Sequence, residues 1–111
     1  GLGDVYKRQK QKIEEKKYTK WFDYDKIKNS PCVRTRRQGD YLTVNSEGGR
    51  KKLNRIFIDE KIPAEMRDRL PVVAVGSEIL WIPGGRMNEK YKITSTTGRV
   101  LELHYQGGAL A

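Results

Sequence analysis

One cysteine, Cys32, and one histidine, His104, are all that 111 residues offer of the side chains most used for metal binding and covalent catalysis. A single thiol cannot close an internal disulfide, and zinc clusters of three or four Cys and His ligands cannot be assembled. Cys32 has no histidine near it in sequence, so a small packed thiol is the simpler reading. His104 lies on the polar side of an alternating segment without partners at ligand spacing and reads as a surface residue, which leaves no metal site and no catalytic residue to name. Long apolar runs are missing as well: nothing approaches the ~18 residues of a membrane-spanning helix, which excludes a transmembrane role. The Gly-x-x-x-x-Gly-Lys-Ser/Thr loop of nucleotide hydrolases is absent. With no secretory leader visible, the lone thiol fits a cytoplasmic setting.

Charge is abundant and lopsided. Twenty-three Lys and Arg face 14 Asp and Glu, a net +9, while hydrophobic residues make up 36% of the chain. That length and composition suit one domain with a small core, burying about 60–65% of its unfolded surface. The positive excess favours a polyanionic partner, with nucleic acid ahead of acidic lipid. Residues 1–9 stand apart, because Asp4 to Gln9 resemble an in-frame translation of a sequencing-library adapter, and the chain is expected to begin mid-gene. Setting them aside leaves 21 basic and 13 acidic residues, so the excess survives. Residues 10–20 carry five lysines around one apolar residue, Ile13, and read as a basic linker from a preceding domain. The domain itself is expected over 21–106, with 107–111 a tail.

Within 21–106 the pattern predicts an α+β fold. Trp21-Phe22 opens a strand; residues 32–37 and 41–44 are short strands split by the turn signal Gln38-Gly39-Asp40. Leu53, Ile56 and Phe57 at i, i+3, i+4 mark a helix over 51–60, and a second short helix starts by Pro63 and ends before Pro71. Val72 to Val75 and Glu78 to Ile82 flank Gly76-Ser77, a two-residue hairpin turn. Alternation at Tyr91 and Ile93, then at Leu101, Leu103 and Tyr105, predicts a second hairpin across Thr97-Gly98.

Three stretches carry the chemistry. In a strand over 32–37, Arg34 and Arg36 would share one face about 6.6–6.8 Å apart, a spacing that can meet consecutive phosphates. With Arg37 they make three arginines in four residues, which repel one another unless an anion or nearby carboxylates relieve them. Asp40 offers the plainer alternative, an arginine face relieved by acids. Lys51 and Lys52, following Arg50 at an expected helix start, bring cations to free N–H groups, an anion site in one reading and solvated side chains in the other. Arg86 projects from the Pro83-Gly84-Gly85 turn toward the same surface. Trp81, between Leu80 and Ile82, belongs to the core rather than to a base-stacking platform.

Phe22-Asp23-Tyr24-Asp25-Lys26-Ile27, the run from Val33 to Asp40, Lys51-Lys52-Leu53, the run from Phe57 to Pro63, Arg67-Asp68-Arg69-Leu70-Pro71 and the run from Glu78 to Met87 together resemble the C-terminal domain of bacterial tRNA(Ile)-lysidine synthetase, collinearly from about Trp21 to Gly107. The resemblance implies a small three-layer β/β/α domain with antiparallel hairpins and two short helices, shared with a domain of the phenylalanyl-tRNA synthetase beta subunit. It implies a parent ligase that uses ATP and Mg²⁺ to join lysine to the wobble cytidine of an isoleucine tRNA. That chemistry would sit in another domain, since Ser46-Glu47-Gly48-Gly49 only echoes the pyrophosphate loop; this fragment should need no cofactor and be inactive alone. The implied task is to grip the tRNA(Ile) acceptor stem, with contacts carried onto Arg34, Arg36, Arg37, Lys51, Lys52 and Arg86. The alternative is a protein-protein module that docks on its own catalytic domain or forms a homodimer without touching RNA.

Overall fold

The computed structural model describes residues 18–106 and the backbone of residues 5–7. In chain order the elements are β1 (Val5–Lys7), β2 (Thr19–Asp23), a 3-10 turn (Tyr24–Lys26), β3 (Cys32–Arg34), β4 (Tyr41–Thr43), β5 (Arg50–Lys52), α1 (Leu53–Asp59), α2 (Ala64–Arg67), β6 (Val72–Val75), β7 (Glu78–Trp81), a second 3-10 turn (Glu89–Tyr91) and β8 (Arg99–His104). Two sheets result, one ordered β1-β8-β2 and one ordered β3-β6-β7-β4-β5. Every pairing is antiparallel except β4 beside β7. Val5–Lys7, set aside on sequence grounds, lies along β8. No helix among the described residues is long and apolar enough to cross a membrane.

The five-stranded sheet is the middle of three layers, and side-chain alternation makes it so. Val72, Ala74 and Ile79 face one way and join Leu42 with Leu53, Ile56 and Phe57 of α1. Val73, Leu80 and Trp81 face the other way and join Phe22, Leu101 and Leu103 of the three-stranded sheet. Burying each of the large α1 side chains contributes roughly 1.5–3 kcal/mol, which is what holds so short a helix. Strict alternation would put Leu80 and Trp81 on opposite faces. Instead Val73 pairs with Trp81 and Ala74 with Ile79, so Leu80 is an extra residue on β7 and both side chains enter the same cluster. Trp81 is 1% exposed and tilts against Phe22 with ring centroids 6.0 Å apart. The β6–β7 turn uses Gly76 at φ 62, a left-handed conformation that glycine adopts without steric cost.

The second hairpin expected from alternation does not form. Tyr91 lies in a 3-10 turn, 3% exposed, and β8 pairs with β2 and β1. Side chains capture the intervening backbone: Thr94 N–H donates to Thr97 Oγ1 at 2.8 Å, and Asn88 donates to Ile79 O at 2.8 Å while accepting from Lys90 N–H at 3.0 Å. Local bonds of this kind compete with ladder pairing. Burial first, then the hydrogen bond to the Glu78 carboxylate, pushes the Tyr91 phenol above its ordinary range.

α1 ends in paired backbone bonds, Ile62 N–H to Phe57 O at 2.9 Å and Lys61 N–H to Ile58 O at 3.0 Å, with Lys61 left-handed at φ 58. Glycine is the residue that this cap prefers. Lys61→Gly is therefore expected to stabilise the domain by about 0.5–1 kcal/mol, read as a higher midpoint in thermal unfolding. An unchanged or lower midpoint would show that Lys61 gains something specific from its side chain.

Candidate nucleic-acid interface

The three arginines of the β3–β4 segment end up in three different environments. β3 stops at Arg34 rather than running to Arg37, because side-chain bonds curl the chain. The Arg34 guanidinium grips Asp40 with both nitrogens at 2.8 Å and reaches Thr35 O at 2.9 Å and Gly76 O at 2.7 Å. Asp40 also accepts from Arg37 N–H at 2.7 Å, and its carbonyl accepts from Leu53 N–H at 2.9 Å. The pair is closed off, with side chains 9% and 2% exposed. The bond to Asp40 raises the Arg34 pKa against the opposing effect of burial. Arg34 therefore ties β3, the β6–β7 turn and the start of α1 together.

Arg36 points sideways, with Nε on Asp68 at 2.8 Å and Nη1 on Asn54 at 3.0 Å, joining the start of α1 to the end of α2. Arg37 points out. It is exposed and carries no ion pair among the described residues. Arg34 and Arg36 therefore do not share a strand face as their spacing predicts, since Arg36 lies beyond the strand and Arg34 is turned inward.

Residues 50–52 are also not a helix start. They form β5, an edge strand on β4, and α1 begins at Leu53. Alternation separates the cations: Lys51 shares the α1 side with Leu42 and pairs with Asp59, whereas Arg50 and Lys52 share the opposite side with Tyr41. Arg50 lies 4.7 Å over the Tyr41 ring, and Lys52 is exposed with no ion pair among the described residues. The spacing of about two strand rises, expected for Arg34 and Arg36, is realised by Arg50 and Lys52. Cations on an unpaired edge also discourage strand addition, a plainer role for the same residues.

Lys51 holds the Asp59 carboxylate below its ordinary range, chiefly through their hydrogen bond. A depressed carboxylate pKa means stability that is present above the unfolded value near 4 and is lost as pH falls through the folded one. In Lys51→Met, Asp59 is expected to titrate closer to its ordinary value by NMR, and an unmoved titration would remove Lys51 as the cause.

Arg86 lies elsewhere. Its carbonyl accepts from Ile82 N–H at 2.9 Å just past the end of β7, while Gly76 and Ser77, which touch Arg34 and Tyr41, precede the start of that strand. The structure gathers Arg34, Arg36, Arg37 and Lys52 around the β3–β4 loop and the start of α1, places Lys51 on the helix side of β5, and leaves Arg86 a strand length away. Arg50 belongs with Lys52, as the i, i+2 spacing would have indicated had 50–52 been read as a strand. Cys32 is exposed on the edge strand β3 rather than packed as its sequence setting predicts, and His104 bonds to Thr19 and Glu102; no group of three or more metal-ligating side chains occurs among the described residues.

Comparison with known proteins decides the family. Residues 32–103 match the family described as the TilS substrate C-terminal domain. The chain belongs to that family. As a TilS C-terminal domain it is 50% identical over 88 residues to the tRNA(Ile)-lysidine synthase of Caldanaerobacter subterraneus subsp. tengcongensis, covering 79% of this chain and 19% of that protein. It is 41% identical over 90 residues to the enzyme of the same name from Clostridium tetani, covering 81% and 19%. A crystal structure of a TilS C-terminal domain superposes with a TM-score of 0.73 at 33% identity, over 93% of this chain and 79% of that one. The TilS C-terminal domain described here spans about a fifth of the length of the curated relatives it matches. The expected small α+β domain with two sheets and two short helices is the one observed.

Proposed function

We propose that this chain is the tRNA-gripping module of a tRNA(Ile)-lysidine synthase, acting in the cytoplasm, and that it holds the acceptor stem while another domain spends ATP, with Mg²⁺, to attach lysine. The observation that carries this reading is the cluster of outward cations at one end of the middle sheet. Arg37 and Lys52 are exposed and without ion pairs among the described residues, and Arg50 follows Lys52 along β5, whereas Arg36 is held on the helix side by Asp68 and Asn54. A duplex of A-form RNA hides its base edges in a deep groove, so grip through phosphates and shape is what such a cluster can supply. Guanidinium forks and lysine ammonium groups suit that task. Arg34 and Lys51 serve by fixing the loop and the strand from which the others project. Arg86, at the far end of β7, meets a different stretch of the same backbone.

Binding of the chain to an acceptor-stem hairpin and to an anticodon-arm hairpin of isoleucine tRNA, both followed by fluorescence anisotropy, tests the proposal. Tighter binding to the acceptor stem is expected; equal or absent binding would sink it. A competing reading, docking onto the enzyme's own catalytic domain or onto a second copy, draws on Val33 and Ile58, which are 45% and 49% exposed. That reading predicts no hairpin binding, together with loss of association when Val33 and Ile58 become serine.

A further inference from the structure

A groove of about 430 Å³ opens beside the Tyr41 face of β4 and β5, bounded by the two 3-10 turns and the 45–48 loop. Lys26, Thr43, Arg50, Glu78 and Lys90 line it. We infer that it takes one unpaired ribonucleotide of the bound RNA, an assignment that rests on the RNA-binding reading above.

The first observation is Thr43. It is only 7% exposed, yet its hydroxyl has no hydrogen-bond partner among the described residues and is not sealed off from the groove that it lines. A hydroxyl without a protein partner that opens onto a groove is satisfied there by water or by a ligand. What argues for a ligand is the surrounding chemistry. The exposed Arg50 guanidinium sits over the Tyr41 ring, its central carbon 4.7 Å from the ring centroid, with its solvent side open to a planar group. Arginine planes held this way stack unpaired bases.

Glu78 forms the acceptor side. It takes the Tyr91 hydroxyl, has Lys90 at 3.5 Å and keeps a side chain 13% exposed. Lys26 carries no ion pair among the described residues, and Glu89 is held by Lys92 at 3.0 Å. With two carboxylates against three cations, the lining is a poor trap for a bare phosphate, which the carboxylates repel. A nucleotide fits both signs: its phosphate near Lys26, away from the Glu78–Lys90 pair, its base on Arg50, its edge on Thr43 Oγ1 and the Glu78 carboxylate. The size suits a small ligand and excludes a duplex.

The probes are CMP, AMP and inorganic phosphate, titrated into the 111-residue chain by amide NMR. The nucleotides are expected to move Thr43, Arg50 and the 45–48 amides saturably, and phosphate is not. Thr43→Val, which keeps the shape, and Arg50→Lys, which keeps the charge, should each weaken nucleotide binding by at least about fivefold. Equal shifts with phosphate, shifts elsewhere, or unchanged affinity in both variants would overturn the assignment. In parallel, an RNA duplex carrying a single-stranded extension should bind more tightly than the blunt duplex. Equal binding would overturn the groove while leaving RNA binding intact, whereas no binding of either would remove the reading beneath it.

Discussion

Arg34→Ala is expected to lower the thermal unfolding midpoint of the domain by more than about 12 °C. The reason is the carboxylate it leaves behind. The Asp40 side chain is 2% exposed, and the two short bonds from Arg34 are its only charged contacts among the described residues. Breaking a buried pair by removing one partner costs about 3–5 kcal/mol, because the surviving charge stays desolvated. In a domain of this size each kcal/mol moves the midpoint by roughly 4–8 °C. The loss extends past the pair: Arg34 also satisfies Thr35 O and Gly76 O, so the turn between β6 and β7 loses its tie to β3. Arg34→Lys is expected to fall between the two, since one ammonium group cannot reproduce the fork. In a double-mutant cycle with Asp40→Ala, the two losses should add to less than their sum. A midpoint within 3 °C of wild type, on the other hand, would mean that roughly full solvation of Asp40 is recovered without its partner, and that the fork is a surface contact of small worth.

The pair Arg37→Ala with Lys52→Ala should do the reverse, leaving the fold and taking the RNA. Both side chains are exposed and without ion pairs among the described residues, so their removal should change stability by no more than about 0.5 kcal/mol each. Loss of two phosphate contacts is expected to weaken acceptor-stem binding by about tenfold or more at low salt, whatever the stem sequence. Unaltered affinity would take the β3–β4 loop out of the interface. The contrast between these two experiments separates arginines that build the loop from those that project out of it.

Local sequence order carried much of this fold, and its failures have physical causes. The i, i+3, i+4 stripe of Leu53, Ile56 and Phe57 marks α1 because that helix has one wet and one dry side. Gly76-Ser77 marks the β6–β7 hairpin because the turn needs a left-handed residue. Long-range pairing stayed hidden. Whether β8 would pair with residues 91–94 or with β2 depends on Asn88 and Thr97, whose side chains take backbone and carboxylate partners that no periodicity displays. The bulge at Leu80 is equally silent, since an extra residue reads as ordinary apolar sequence. At the candidate interface the cluster of basic residues was legible but their directions were not. Asp40, six positions after Arg34, decides that one arginine turns inward. The register of β5 on β4 decides which lysine faces α1 and which faces solvent.

The central claim, that outward cations of this small domain clasp the phosphate backbone of a tRNA, is most directly tested by the salt dependence of binding to isoleucine tRNA. Neutralising about three to five phosphates predicts that log K falls against log salt with a slope of roughly −2 to −4. A slope near zero, with binding otherwise intact, would contradict the account and point to association through apolar surface instead.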